Sequence, residues 1–261
     1  MVNFADKLAG QKIAVIGGTS GIGFGAAEIL LAAGAHVIVI SSSQDKVSSA
    51  VQRLGGDTGS EKVQGLVGNV RDEAAFTQLL VSLAPLSHVV FSSVDTIIRG
   101  PLADADLENA KHLFGVKFWG SIAVGKALAK HDIVKRGGSL TLTSGAAATR
   151  PKKGATIGGA LNGGVVTLTA ALADELADKK IRVNTVVPGL VKTELWDKLG
   201  HTKEKQEELF AKSAEGLPVG FVATPEHIAE AYLYAVRADY ANGTTILIGT
   251  WWLLMSCGVI C

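Results

Sequence analysis

Lys12–Gly25, KIAVIGGTSGIGFG, is the stretch on which the fold turns. Lys12–Ile16 is a short apolar run that reads as a buried strand. A Gly-rich turn, Gly17–Gly23, follows at once, and Phe24–Ala33 continues as a helix with many Ala and Leu and no Pro. A strand that enters a Gly-rich turn and opens a helix aims backbone N–H groups, at the positive end of the helix dipole, toward an anion such as a phosphate. Gly17 permits the tight turn, Gly21 removes a side chain that would block a pyrophosphate, and Gly23 lets helix and strand approach closely. With Thr19, Ser20 and Ile22 in the same turn, the stretch predicts a dinucleotide-binding site.

Working outward, strand and helix signals alternate along the chain. His36–Ile40, Lys62–Val67, Val89–Phe91, Ser139–Thr143, Arg182–Val186 and Thr244–Ile248 read as further strands. Between them lie helices at Gln44–Leu54, Asp72–Leu83, Asp104–Lys130 (one helix, or two in series), Ala155–Lys179 and Pro225–Arg237. Ala155–Lys179, rich in Ala, Gly, Leu and Val, is expected to be buried on more than one face. The expected architecture is α/β, a single doubly wound Rossmann-type domain over residues 1–261 with a seven-stranded, mainly parallel sheet covered on both faces. The irregular segment 189–224, with a charged helix at Lys203–Glu215, reads as a substrate loop or lid.

Composition excludes several classes. Of 261 residues 48% are hydrophobic and 19% charged, which argues for a large core, and the net charge of +1 gives no electrostatic footprint for nucleic acid. The two cysteines, Cys257 and Cys261, form neither a disulfide framework nor a metal-ligand spacing, so no metal is expected. MVNFADKLAG lacks the pattern of a signal peptide, and no apolar run reaches the roughly 18 residues of a membrane span. The tail WWLLMSCGVIC is apolar but short, and Gly258 rules out a prenylation box. A cytoplasmic free-thiol protein is expected.

The spacing Gly-x-x-x-Gly-x-Gly, the segment Pro188-Gly189-Leu190-Val191-Lys192-Thr193 with Arg182-Val183-Asn184 before it, and Ser144 at the end of the fifth strand resemble the short-chain dehydrogenase/reductase family. The resemblance spans Leu8 to Leu254. It implies that Pro188, Gly189, Val191 and Thr193 hold a nicotinamide carboxamide, that Asn69 and Val70 flank the adenine, and that Ser92 and Ser93 lie beside the cofactor. In dinucleotide folds an acid at the end of the second strand holds the adenosine ribose and repels a 2′-phosphate. Here that position reads Ser41-Ser42-Ser43, with Lys46 next. Hydroxyls and an ammonium favour a phosphate, so NADP(H) is expected over NAD(H).

In that family the chemistry rests on a Ser, a Tyr, a Lys four residues after the Tyr, and an Asn on the preceding helix. Ser144 matches the Ser. Register through Gly163-Gly164-Val165 to Leu172-Ala173-Asp174-Glu175-Leu176 puts Gly158 at the Tyr position and Asn162 at the Lys position, while Lys117 stands where the family has Asn. The three tyrosines, Tyr232, Tyr234 and Tyr240, all fall in or just after the late helix. Lys and Asn thus look exchanged between neighbouring helices, with Lys117 returning an ammonium to bind a ribose or a catalytic water and Asn162 taking the amide role. An eroded site with a surface Lys117 is the alternative.

Without Tyr, a ketone needs another proton source, whereas an iminium ion needs none, and Asp95 could stabilise its charge. Arg150 lies near the expected substrate mouth. Loss of the Tyr ring should enlarge the pocket, and Trp119, Ile157, Trp196, Phe210 and Trp252 are candidate apolar lining. The resemblance therefore implies an atypical NADP(H)-dependent reductase of a bulky, largely apolar carbonyl or imine-type small molecule, of the kind met in natural-product biosynthesis. The alternatives are a non-redox cyclase or isomerase in the manner of a Diels–Alderase, or a non-catalytic NADP(H)-binding protein. It also implies a homodimer or homotetramer built through the two long helices, with the apolar tail as a further contact.

Overall fold

The computed structural model describes residues 6–55, 62–200 and 202–249. The strands are β1 (Lys12–Ile16), β2 (His36–Ser41), β3 (Val63–Val67), β4 (Leu86–Phe91), β5 (Val134–Thr143), β6 (Arg182–Pro188) and β7 (Thr245–Ile248). The helices are α1 (Gly21–Ala32), α2 (Gln44–Arg53), α3 (Glu73–Ser82), α4 (Leu107–Phe114), α5 (Gly120–Lys130), α6 (Thr156–Glu175), α7 (Lys203–Gly216) and α8 (Pro225–Arg237). Every strand pairing is parallel, in the order β3-β2-β1-β4-β5-β6-β7. The order reverses direction between β1 and β4, which opens a crevice at the carboxyl ends of these strands.

Alternation within a strand builds two cores from one sheet. In β1, Ile13 and Val15 face one side, where Phe24, Leu30, Ile228 and Tyr232 close over them. Ala14 and Ile16 face the other, under Phe76, Leu80, Val124 and Val165. Burying each large aliphatic side chain contributes about 1.5–3 kcal/mol, so either layer far outweighs the caps that mark its helix ends. Those caps are visible nonetheless: Asp72 accepts from the Ala75 N–H and Asp106 from the Asn109 N–H, both at 3.0 Å. A third, small cluster of Trp196, Phe210, Leu217 and Val222 lies within the 189–224 segment. Its two ends meet where the Lys192 N–H donates to the Ala223 carbonyl at 2.8 Å.

Several expectations are corrected. Helix α1 begins at Gly21 rather than Phe24, so its first turn is part of the Gly-rich loop itself. Of the two readings of 104–130, two helices in series is the one found: a short 3₁₀ turn, Leu102–Asp104, precedes α4, and a π-helical turn, Gly115–Trp119, joins α4 to α5. Helix α6 is buried at Gly159, Leu161, Val165, Thr169, Leu172 and Ala173, whereas Ala160, Ala170 and Ala171 are exposed on its other side. It is also long and apolar enough to cross a bilayer, yet it packs against β6. The apolar tail, with Trp252 and both cysteines, lies outside the described residues.

Candidate active site

A cleft of about 1640 Å³ opens over the carboxyl ends of the strands. Small-molecule pockets usually measure about 300–1,000 Å³, so this one has room for a cofactor and a second ligand. Its floor is the Gly-rich turn. Gly17 has φ +82°, and a Cβ there would lie 2.6 Å from the Ser93 nitrogen. At Gly23 a Cβ would lie 2.2 Å from the Gly17 carbonyl oxygen, so this glycine serves the turn's own backbone rather than the strand–helix contact. Ser20 caps α1 with extended backbone and no side-chain hydrogen bond, and the first turn holds no acidic residue. The leading N–H groups of α1 therefore have no side-chain partner there and face a cleft, an arrangement that fits a pyrophosphate.

Around that floor the cleft is lined by Thr19, Ser20, Gly21 and Ile22, by Ser41, Ser42 and Lys46 at the end of β2, and by Asn69, Val70, Ser92 and Ser93. Pro188, Gly189, Val191 and Thr193 line it after β6. Ser43 does not; its hydroxyl caps α2, accepting from the Lys46 N–H at 3.4 Å. Sequence reasoning missed Arg53 and Lys198, which line the same wall. The Lys198 ammonium donates to the Asp95 carbonyl, and desolvation, with the nearby charge of Lys46, pulls its pKa down.

The inner end of the cleft joins Lys117, Ser144 and Asn162. The π-helical turn that carries Lys117 is wedged by Phe118 against Gly164 of α6, where a Cβ would lie 2.7 Å from the ring. Lys117 Nζ donates to the Ser144 carbonyl at 2.8 Å, and the Ser144 hydroxyl donates to the Asn162 carbonyl at 2.8 Å. Lys117 and Asn162 are thus both joined to Ser144 by hydrogen bonds. No carboxylate among the described residues pairs with Lys117, and burial pushes its pKa down to about 8. The Asn162 amide donates to the Gly158 carbonyl at 2.7 Å, and its Oδ1 is buried with no hydrogen-bond partner among the described residues. A buried acceptor without a donor is costly and suits a ligand hydroxyl.

The space at Gly158 is not vacant. A Cβ there would lie 2.7 Å from the Ile98 carbonyl oxygen, because the loop after β4 folds onto the start of α6, where the Gly100 N–H donates to the Gly154 carbonyl at 2.9 Å. The expected enlargement at this position is therefore taken up by main chain. Asp95 lines the cleft, but its carboxylate is bound by the Arg71 guanidinium at 2.7 Å, which offsets the charge an iminium ion would use. Arg150 and Trp196 also line the cleft, whereas Trp119, Ile157 and Phe210 do not. Trp119 is 59% exposed, and Phe210 is buried edge-on against Trp196 at 5.5 Å. Tyr232 reaches the floor from below, its hydroxyl 2.6 Å from Thr143 Oγ1, and burial pushes its pKa up to about 12. That makes it a very weak acid at neutral pH.

Comparison with known proteins adds a consistent set of likenesses. A family model described as an SDR-like rossmann domain matches residues 4–254. The short-chain dehydrogenase/reductase fsr5 of Gibberella fujikuroi is 32% identical over 256 residues, 93% of this chain and 94% of that protein. The short-chain dehydrogenase/reductase malC of Malbranchea aurantiaca is 32% identical over 252 residues, 92% of this chain and 94% of that protein. The solved structure of MalC, described as a reductase/Diels-Alderase, aligns with a TM-score of 0.82 at 28% identity and covers 95% of this chain and 98% of its own. A small-chain dehydrogenase solved in complex with NADPH aligns with a TM-score of 0.74 at 28% identity, covering 92% and 97%.

Proposed function

The chain belongs to the short-chain dehydrogenase/reductase family, and on that footing we propose that it is an NADP(H)-dependent reductase of a bulky carbonyl compound in which Lys117 replaces the family Tyr as proton donor. The observation that carries this reading is the desolvated Lys117 ammonium beside Ser144 in a cleft whose other end suits a dinucleotide. Bound there, the nicotinamide supplies the hydride. The N–H groups of α1 would hold the pyrophosphate, Ser41, Ser42 and Lys46 would hold a 2′-phosphate, and Asn162 Oδ1 would accept from a ribose hydroxyl. As the substrate oxygen gains charge, it takes a proton from Lys117 Nζ. With its pKa near 8, that group is charged at neutral pH and a much stronger acid than an ordinary lysine. A carbonyl is favoured over an iminium ion because Asp95 is already paired with Arg71. The outward small-residue face of α6 suits the close helix packing of a homodimer or homotetramer.

A non-redox cyclisation is the second reading. It is favoured by the main chain filling the space at Gly158 and by the likeness to MalC, a reductase/Diels-Alderase. The test is a fluorescence titration of NADPH and NADH on the wild type and Lys46→Ala, followed by NADPH oxidation over a panel of bulky ketones and imines. Tight NADPH binding weakened by Lys46→Ala, with ketone-dependent oxidation lost in Lys117→Met, is the expected result. Substrate conversion without NADPH consumption moves the assignment to the cyclase, and no NADPH binding removes the reductase altogether.

A further inference from the structure

Arg99 is one of several cations of the cleft that have no role in the scheme above. Arg99 sits on the loop after β4, one residue past the Ile98 carbonyl that abuts Gly158 and one before the Gly100 N–H held by Gly154. Its backbone is therefore fixed at the inner, reacting end of the cleft. On the other side, its guanidinium lies 5.5 Å over the ring of Trp196, which is itself anchored by an indole N–H donated to the Val191 carbonyl at 2.9 Å. Arg99 thus spans the gap between the β4 loop and the 189–224 segment. Trp196 and Leu217 pack with Ile97 and Leu190 into an apolar part of the cleft wall.

Arg99 has no hydrogen bond and no ion pair among the described residues. Four carboxylates line the cleft, Asp45, Asp95, Glu194 and Asp197, and none forms an ion pair with Arg99; Asp95 pairs with Arg71, and Asp197 accepts from Lys203 and Gln206. Partial burial alone pulls its pKa down, with no compensating carboxylate. A guanidinium taken from water without a counter-ion is costly, and its planar fork matches a carboxylate with two parallel hydrogen bonds.

We infer that Arg99 recognises an anionic group on the substrate, so that the substrate is a bulky apolar molecule carrying a carboxylate or a comparable anion. The inference names the substrate class for the reductase proposed above and rests on the inner cleft being its substrate chamber. The apolar wall takes the body of the molecule, and Arg99 fixes its charged end at a set distance from Lys117 and Ser144.

The test uses three probes of one shape, 2-naphthoate, 2-naphthamide and 2-naphthylmethylammonium, titrated calorimetrically with and without saturating NADP⁺. The carboxylate should bind roughly tenfold or more tighter than the amide, as a charge-assisted bidentate pair implies, and the ammonium weakest. Arg99→Met should abolish the carboxylate preference while leaving amide affinity within about twofold, and Arg99→Lys should restore part of it. Equal binding of carboxylate and amide by the wild type, or a preference that survives Arg99→Met, would overturn the inference. If NADP⁺ does not bind but the Arg99-dependent preference is found, the reductase reading falls and the anion site stands.

Discussion

Replacing Lys117 by Met should make the protein without cofactor more stable while removing its chemistry. Burial lowers the lysine from 10.5 to about 8, which corresponds to about 3 kcal/mol of unfavourable charge burial when it is protonated. The wild type also gains from the bond to the Ser144 carbonyl, about 1–2 kcal/mol, which Met cannot make. The net expectation near neutral pH is a stabilisation of about 1–2 kcal/mol, or a Tm rise of roughly 2–8 °C for a chain of this size. The sign of the pH dependence follows from linkage. A base with a lowered folded-state pKa binds fewer protons folded than unfolded, so wild-type stability rises between about 8 and 10.5. The penalty is full below that window and relieved above it, so the variant's advantage should shrink as pH rises through it. Thermal melts of both proteins from about pH 7 to about pH 10 measure this. A variant less stable than wild type near neutral pH, or a difference that does not change with pH, would show that the ammonium is not desolvated and would remove the basis for its acidity.

Gly158→Ala puts a methyl 2.7 Å from the Ile98 carbonyl oxygen; the expected cost is about 1–3 kcal/mol, seen as a lower Tm and faster proteolysis in the 94–100 loop. For the same reason Gly158→Tyr should not create a working family-type site, and activity assays on ketones should show no gain. Gly23→Ala meets the Gly17 carbonyl at 2.2 Å and should abolish NADPH binding in a fluorescence titration, with a stability loss of about 2 kcal/mol or more. Tyr232→Phe leaves Thr143 Oγ1 without the phenol it meets at 2.6 Å, and denaturant unfolding should show a loss of about 1–2 kcal/mol with cofactor affinity unchanged.

Much of the architecture was legible because it is written in local, periodic signals. Apolar strands alternating with helices specify a parallel sheet, and Lys12–Gly25 carries strand, turn and helix in contiguous residues. The Pro188–Thr193 segment was equally readable, and all of it but Lys192 lines the cleft. Where the expectations failed, the missing information was non-local. Helix α6 looks buried on several faces by composition, yet small residues are as compatible with an exposed contact face as with a core. The sequence leaves 104–130 as one helix or two in series, and the π-helical turn at Gly115–Trp119, where Phe118 meets Gly164, shows it to be two.

The same division holds at the site. From the residues and their resemblance to the family came the expectation that Gly158 stands at the Tyr position and Lys117 at the Asn position, because residue identity and helix register need no coordinates. Only the tertiary structure joined Lys117 and Asn162 to Ser144 by hydrogen bonds, filled the Gly158 space with the Ile98 carbonyl, and tied Asp95 to Arg71. It also left Arg99 over Trp196 with no ion pair among the described residues, although a lone cation in Thr96-Ile97-Ile98-Arg99-Gly100 was a faint signal. Those facts depend on loops that meet across the sheet from positions up to about a hundred residues apart, and it is the packing of the two cores that decides which of them face each other.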